Sequence, residues 1–270
     1  MSDKCIHRHS KKSHPNCFNN EDGLRLLVLP DIHFPKQSKR AYGVVMKYVE
    51  DFKPEVVVNL GDLGDFAGVG HWNRQRYKMR KNYPVKRDLD MCYAHHKRLR
   101  DISPDADIYT LGGNHDQEWP ERYIEDHPEM EGYFDFERDM GFKDFNINYI
   151  KRENQPLKIG KVRFVHGWFT GIHHAKKHAE HIHNNIVYGH AHDVQMFTPK
   201  NFDPQHRFTS MCIGHLMEEK KAEFLKDQPT NWMLAFAHGY IDKTTGDFDL
   251  WIVQLPNYRF HGLDGKLYKG

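Results

Sequence analysis

Five short segments carry side chains able to bind cations: "DIH" (31–33), "GDLGD" (61–65), "GGNHD" (112–116), "HG" (166–167) and "GHAH" (189–192). Together they offer two carboxylates, Asp31 and Asp62, the amide oxygen of Asn114, and the imidazoles of His33, His166, His190 and His192. Hard oxygen and borderline nitrogen donors without a thiolate suit Mn²⁺, Fe or Zn²⁺ rather than a cysteine-rich structural zinc. Seven donor groups exceed the needs of one tetrahedral ion and match two ions sharing one carboxylate. Such pairs stand ~3.5–4 Å apart and stabilise both the attacking and the leaving oxygen of an in-line displacement. In extended backbone, residues i and i+2 point to the same side, so Asp31 with His33, and His190 with His192, are each expected to grip one centre. In "TLGGNHDQ" (110–117) a turn needs only the glycines and at most Asn114. The surplus is explained if Asn114 is a neutral ligand and His115 stays free to act on a substrate, with the glycines letting the backbone approach closely.

The elements that must position these residues are legible as periodicity. "LRLLVLP" (24–30), "EVVVNL" (55–60) and "DIYTLGG" (107–113) are continuous apolar runs of the kind buried on both faces of a sheet. Between them, "SKRAYGVVMKYVEDFKPE" has Val44, Val45, Tyr48 and Val49 at helical spacing with Ser38 as N-cap, and "PVKRDLDMCYAHHKRLRDI" is a second helical pattern. "LKIGKVRFVHG" predicts a hairpin whose second strand ends at His166, "NNIVYGHAH" a short strand, and "NWMLAFAHGYI" and "DFDLWIVQLP" strands joined through a "TTG" turn. The acidic, aromatic segment 118–140 reads as helix and loop outside the sheet. Strand–helix alternation followed by further strands argues for an α/β domain with a layered sheet core, in which loops at the carboxyl ends of strands meet in one crevice.

The 270 residues can bury a sizeable core, and 39% hydrophobic with 28% charged residues is an ordinary balance. A formal net charge of +2 does not by itself mark a nucleic-acid binder. No apolar run approaches the ~20 residues of a membrane span, and the polar N-terminus lacks the apolar core of a secretory signal, so a cytoplasmic protein without membrane partners is expected. The four cysteines are accordingly expected to be reduced thiols. Histidine is over-represented, with 21 copies; many are expected to decorate solvated helices such as "GIHHAKKHAEHIHNN". Residues 1–22 are expected to form a flexible arm and 23–270 one domain, with 66–100 and 118–145 as rim or cap segments.

Any one of the five segments alone reads equally well as a turn or a cap, whereas independent turns have no reason to supply a complete ligand set in order. The order D-x-H, G-D-x-x-D, G-N-H-D, H, G-H-x-H across residues 25–195 resembles the calcineurin-like metallophosphoesterase superfamily. The resemblance implies a four-layer α-β-β-α sandwich of two mixed sheets flanked by helices. It implies that Asp31, His33 and His192 hold one ion, that Asn114, His166 and His190 hold the other, and that Asp62 bridges them. A metal-bridging hydroxide would be the nucleophile, His115 would protonate the leaving oxygen, and Asp65 would orient His115 and keep it protonated. Two divalent ions are implied, Mn²⁺ first, with Fe, Zn²⁺ or Ni²⁺ as alternatives.

The chain departs from the phosphoprotein phosphatases of that superfamily, which carry Arg after the second Asp and Glu after G-N-H; here Phe66 and Asp116 stand in those places. The G-N-H-D form is closer to phosphodiesterase and repair-nuclease branches, and the compact chain is similar to phage-type phosphoesterases. Residues 71–87 interleave cations with aromatic rings, among them Trp72, Arg74, Arg76 and Tyr77, a composition suited to single-stranded nucleic acid or a nucleotide, or else to a plain solvated loop. The expected activity is therefore phosphodiester hydrolysis, with a phosphomonoesterase for phosphoproteins or small metabolites as the alternative and a non-catalytic scaffold as a third reading. Cys5, His7, His9, His14 and Cys17 match no standard zinc-finger spacing, so a tag-like arm is favoured over a zinc clasp. Cys212 and His215, in "MCIGH", read as buried strand residues.

Overall fold

The computed structural model describes residues 22–270 except 71, 72, 74, 134, 204, 205, 223, 224, 226 and 227. The arm with its Cys/His group, and Trp72 and Arg74, lie outside the described residues. Along the chain run β1 (Gly23–Leu29), α1 (Lys39–Phe52), β2 (Val56–Asn59), α2 (Tyr77–Asn82), α3 (Val85–Ile102), β3 (Asp107–Leu111), α4 (Trp119–Asp126), α5 (Phe136–Asp139) and β4 (Ile147–Ile150). There follow β5 (Leu157–Ile159), β6 (Val162–Val165), α6 (His174–Ile182), β7 (Asn185–Tyr188), β8 (Val194–Phe197), β9 (Ser210–Ile213), β10 (Ala235–Asp242), β11 (Phe248–Gln254), β12 (Arg259–His261) and β13 (Leu267–Lys269). One sheet has the order β11-β10-β1-β2-β3-β4 and a second the order β5-β6-β7-β9-β8, while β12 and β13 form a separate ribbon. Both large sheets are mixed: β1 pairs parallel to β2 and antiparallel to β10, and β7 lies parallel to β6 and β9 while β8 runs antiparallel to β9.

The two-residue period of the strands builds the layers. Leu26 and Val28 of β1 and Val56 and Val58 of β2 face Val162, Phe164, Val187, Met211 and Ile213 of the second sheet, closing the core between the sheets. Leu27, Leu29, Val57 and Ile108, one residue out of phase, face Val44, Val45, Tyr48 and Val49 of α1 and Leu89, Cys92 and Leu99 of α3. Ile186, Tyr188 and Cys212 turn outward on the second sheet, against Ile182 of α6. The result is the α-β-β-α sandwich. Ser38 caps α1 as expected, accepting from the Ala41 N–H.

One expectation needs correcting. The "GIHHAKKHAEHIHNN" helix is not merely solvated, because His174 and His178 are buried against Tyr188 (2% and 0% exposed). The short strands β4 and β8 carried no distinct period; pairing with β3 and β9 decides them. No described helix is long and apolar enough to cross a membrane.

Asp88 of α3 is wholly buried. Burial first, and then the charge of Asp65, push its carboxyl from 3.8 up to about 8. The folded state thus holds this proton more tightly than the unfolded one, a contribution complete below about pH 3.8 and lost as pH rises through about 8. Asp88→Asn keeps the shape and removes the ionisation. Between about pH 4 and about pH 9 the wild-type Tm is expected to fall relative to the variant by roughly 5 °C or more, and parallel Tm curves would refute this.

Candidate metal centre

The five motif segments leave the carboxyl ends of β1, β2, β3, β6 and β7 and are laced together by main-chain hydrogen bonds. Ile32 and His33 N–H donate to the Asp62 carbonyl (3.2 and 3.0 Å), Phe34 N–H to Leu63 O (2.8 Å) and Asp65 N–H to Phe34 O (2.8 Å). Gly189 N–H donates to His166 O (3.0 Å), and Met233 N–H to His192 O (2.9 Å). Asp116 ties the second and third motifs, accepting from Gly113 N–H (2.6 Å) and Leu63 N–H (2.8 Å). Burial, and then the charge of Asp62, push the Asp116 carboxyl up to about 6.

This lacing brings the predicted donors together in two groups. Donor atoms of Asp31, His33 and His192 lie within 4.8 Å of one another, as do those of Asp62, His166 and His190; Asp62 also belongs with His33 and His115. Asp62 Oδ2 lies 3.3 Å from His166 Nε2 and 3.9 Å from both His33 Nε2 and His115 Nε2. It therefore sits between the groups. Asn114 Oδ1 is 3.0 Å from His166 Nε2. His190 and His192, expected to grip one centre as a pair, are divided between the two groups. The reason is local: β7 ends at Tyr188, and both histidines have left-handed backbone (φ 65° and 67°), so strand alternation does not apply. His33 (φ 54°) and Asp62 (φ 47°) share that conformation, which costs ~1–3 kcal/mol per residue and persists only where surrounding contacts impose it.

The tautomers suit cation binding. His166 Nδ1–H donates to the Leu60 carbonyl (3.0 Å), leaving Nε2 aimed at two oxygens. His33 Nδ1 faces Asp65 Oδ1 at 3.2 Å, leaving its Nε2 3.1 Å from His192 Nε2, which itself lies 3.1 Å from Asp31 Oδ2. Two ring nitrogens directed at each other beside a buried carboxylate form a donor set that a divalent cation fits. Burial would raise the Asp62 carboxyl, but His166, His115 and His33 outweigh it and hold it well below the usual carboxylate range. Burial would lower His166, but Asp62 and Asp31 lift it to about 9. Burial dominates at His190 and carries it down to about 3.

His115 Nδ1–H donates to Asp65, but to its backbone carbonyl (2.8 Å) rather than to its carboxylate. The Asp65 carboxylate lies 3.8 Å from that nitrogen, because it is turned toward His33 and toward Lys36 Nζ (2.7 Å). Phe66 is fully buried against Phe136 and presents nothing to the crevice. Arg76 and Tyr77 are exposed at the start of α2, with Tyr77 73% exposed. Sequence reasoning missed Lys36, Trp119 and Trp232; it read His215 only as a buried strand residue, and the ring is wholly buried. Trp119 packs against the His115 ring (3.7 Å between centroids, rings tilted by 36°), brought there by the single π-helical turn Asn114–Glu118. Trp232 and His215 pack on His192. Only Trp119, four residues after His115, had a local signal in its spacing.

No protein-family model matches the chain. It is 26% identical over 230 residues to the Gene 54 protein of Mycobacterium phage L5, covering 79% of this chain and 87% of that one. Among solved structures it is similar to Vacuolar Protein Sorting 29 from Cryptosporidium parvum (13% identity, TM-score 0.44, 86% of this chain and 98% of that chain). It is also similar to YfcE, a phosphoesterase from E. coli (15% identity, TM-score 0.39, 86% and 100%).

Two expectations follow for cation binding. An ion held by His166 would have to displace its proton, so the apparent affinity of the protein for Mn²⁺ should rise as pH increases toward about 9, by up to about tenfold per unit for that one proton. A calorimetric titration that is flat from about pH 6 to about pH 9 would count against it. A Cβ on Gly113 would fall inside van der Waals contact of Asp62 Oδ1 and the Asp62 amide. Gly113→Ala should therefore weaken metal uptake by roughly 10–100-fold while the far-ultraviolet circular dichroism stays native; unchanged uptake would show that this approach does not matter.

Proposed function

We propose that this chain, which resembles the calcineurin-like metallophosphoesterase superfamily in motif order and sandwich architecture, hydrolyses phosphate esters with a pair of divalent cations, with phosphodiesters of nucleic acid or nucleotides as substrate. The observation that carries the reading is a single carboxylate oxygen, Asp62 Oδ2, lying between two groups of nitrogen and oxygen donors. Asp31, His33 and His192 would hold one ion and Asn114, His166 and His190 the other, with Asp62 common to both. Bound there, the ions supply a nucleophile at neutral pH and polarise the phosphoryl oxygens.

The chain's own residues do the rest. His115 is partly exposed, with Nδ1–H committed to the Asp65 carbonyl and Nε2 beside the metal groups, so Nε2 is the atom placed to pass a proton to a leaving oxygen. Trp119 packs against that ring at 3.7 Å between centroids. Asp65 holds His33 through its carboxylate and His115 through its carbonyl, linking ligand and acid. Diester preference is favoured by the buried Phe66, which leaves no phosphate-gripping arginine at that position, and by the exposed Arg76 and Tyr77. Residues 23–270 are proposed to act as one domain.

Chelated protein, reloaded separately with Mn²⁺, Ni²⁺, Zn²⁺ or Mg²⁺, is to be assayed on bis-p-nitrophenyl phosphate, p-nitrophenyl phosphate and a short single-stranded DNA. Turnover of the diesters above the monoester is expected. Strong monoester turnover with inert diesters would instead make the protein a phosphomonoesterase. His115→Ala should lower kcat by about 10²–10⁴-fold with metal content retained. Undiminished biological activity in that variant would identify a scaffold.

A further inference from the structure

Behind the crevice, on the outer face of the second sheet, lies another donor group. Cys212 and Tyr188 are register partners on β9 and β7, so their side chains share a face. That face turns away from the core between the sheets and toward α6, which carries His174. Asp193 arrives from the loop after β7. Sequence distance hides the group: its members come from a helix, a loop and a strand, and the nearest histidine in sequence to Cys212, His215, packs instead beside His192.

We propose that His174, Asp193 and Cys212 form a third metal site, for a single borderline transition cation of the Zn²⁺ type, distinct from the paired centre. Their donor atoms all lie within 4.8 Å of one another, and the three residues are 2%, 4% and 0% exposed. His174 Nε2 and Asp193 Oδ1, both buried, stand 2.8 Å apart as an ion-pair contact. Each ligand's other polar atom is held. The Tyr188 hydroxyl meets His174 Nδ1 at 2.6 Å, and Asn231 Nδ2–H donates to Asp193 Oδ2 at 2.8 Å. Outer partners that fix the far atom and leave the near one free are the usual surroundings of metal-bound histidine and carboxylate. The Cys212 thiol makes a long 3.5 Å contact to the Gly189 carbonyl and also interacts with the Asp193 carboxylate; cation binding would release the thiol proton. Nitrogen, oxygen and sulfur donors together suit Zn²⁺, and full burial removes Cys212 from any role as a nucleophile toward a substrate.

The paired centre has no sulfur, so sulfur itself is the reporter. Protein carrying Cys5→Ser and Cys17→Ser is to be chelated and titrated with Co²⁺. A near-ultraviolet sulfur-to-cobalt charge-transfer band is expected, with three ions bound per chain. Cys212→Ser should abolish the band and reduce the count to two. Cys92→Ser, which leaves the group untouched, should retain both band and count. Absence of the band in the parent protein overturns the proposal, even if Cys212→Ser does not fold. A band that survives Cys212→Ser, or one lost with Cys92→Ser alone, overturns it equally. Failure of the phosphoesterase reading would leave this band unaffected.

Discussion

Two carboxylates are buried in one crevice, Asp31 3.1 Å from His192 Nε2 and Asp62 3.3 Å from His166 Nε2, with His33 within 4.8 Å of both. Removing two like charges from water is unfavourable unless opposite charge and hydrogen bonds compensate. The surrounding imidazoles and the His115 and His190 N–H groups supply part of that compensation. Protonated histidines can supply the rest in the free protein, and the proposed pair of divalent cations would do so without confining the site to one protonation state. This requirement organises the crevice: every motif loop brings either a donor to these carboxylates or a main-chain bond to the loop that does.

The lacing explains how strained backbone persists. Four of the proposed ligands, His33, Asp62, His190 and His192, sit in left-handed conformation, where a side chain with a Cβ is disfavoured. Hydrogen bonds between the loops after β1 and β2, and the Asp116 carboxylate between the loops after β2 and β3, hold the first two, while the His190 N–H to Asp31 and the Met233 N–H to His192 O hold the last two. Asp116 thereby acquires a structural reason of its own. The G-N-H-D segment has three polar residues with three tasks: a neutral oxygen beside a metal group, an imidazole beside the crevice, and a carboxylate that binds two loops.

The excess of histidine resolves into several populations. Some line the candidate metal centre. Others, His95 and His96, join Asn59, Thr110 and Tyr42 in a buried hydrogen-bonded network beneath α3, where burial keeps both rings well below the usual histidine range. His174 and His178 pack under α6. Burial on helix faces that read as polar was not visible in composition, because polarity alone does not distinguish a solvated ring from one whose partners come from another strand.

The sequence by itself determined the strand cores, the principal helices and the identities of the donors at strand ends, because period and residue type are local properties. The four-layer arrangement was legible too, through a resemblance carried by five ordered motifs. Tertiary structure alone decided how the donors are shared out. His190 parts from His192 because the chain leaves β7 in left-handed turns rather than as extended strand. Asp65 reaches His115 by its carbonyl because Lys36 and His33 occupy its carboxylate. Cys212 faces Asp193 and His174 because sheet register and helix packing bring together residues that sequence separation keeps apart. Such choices depend on which distant neighbour a side chain meets, and no local pattern contains that.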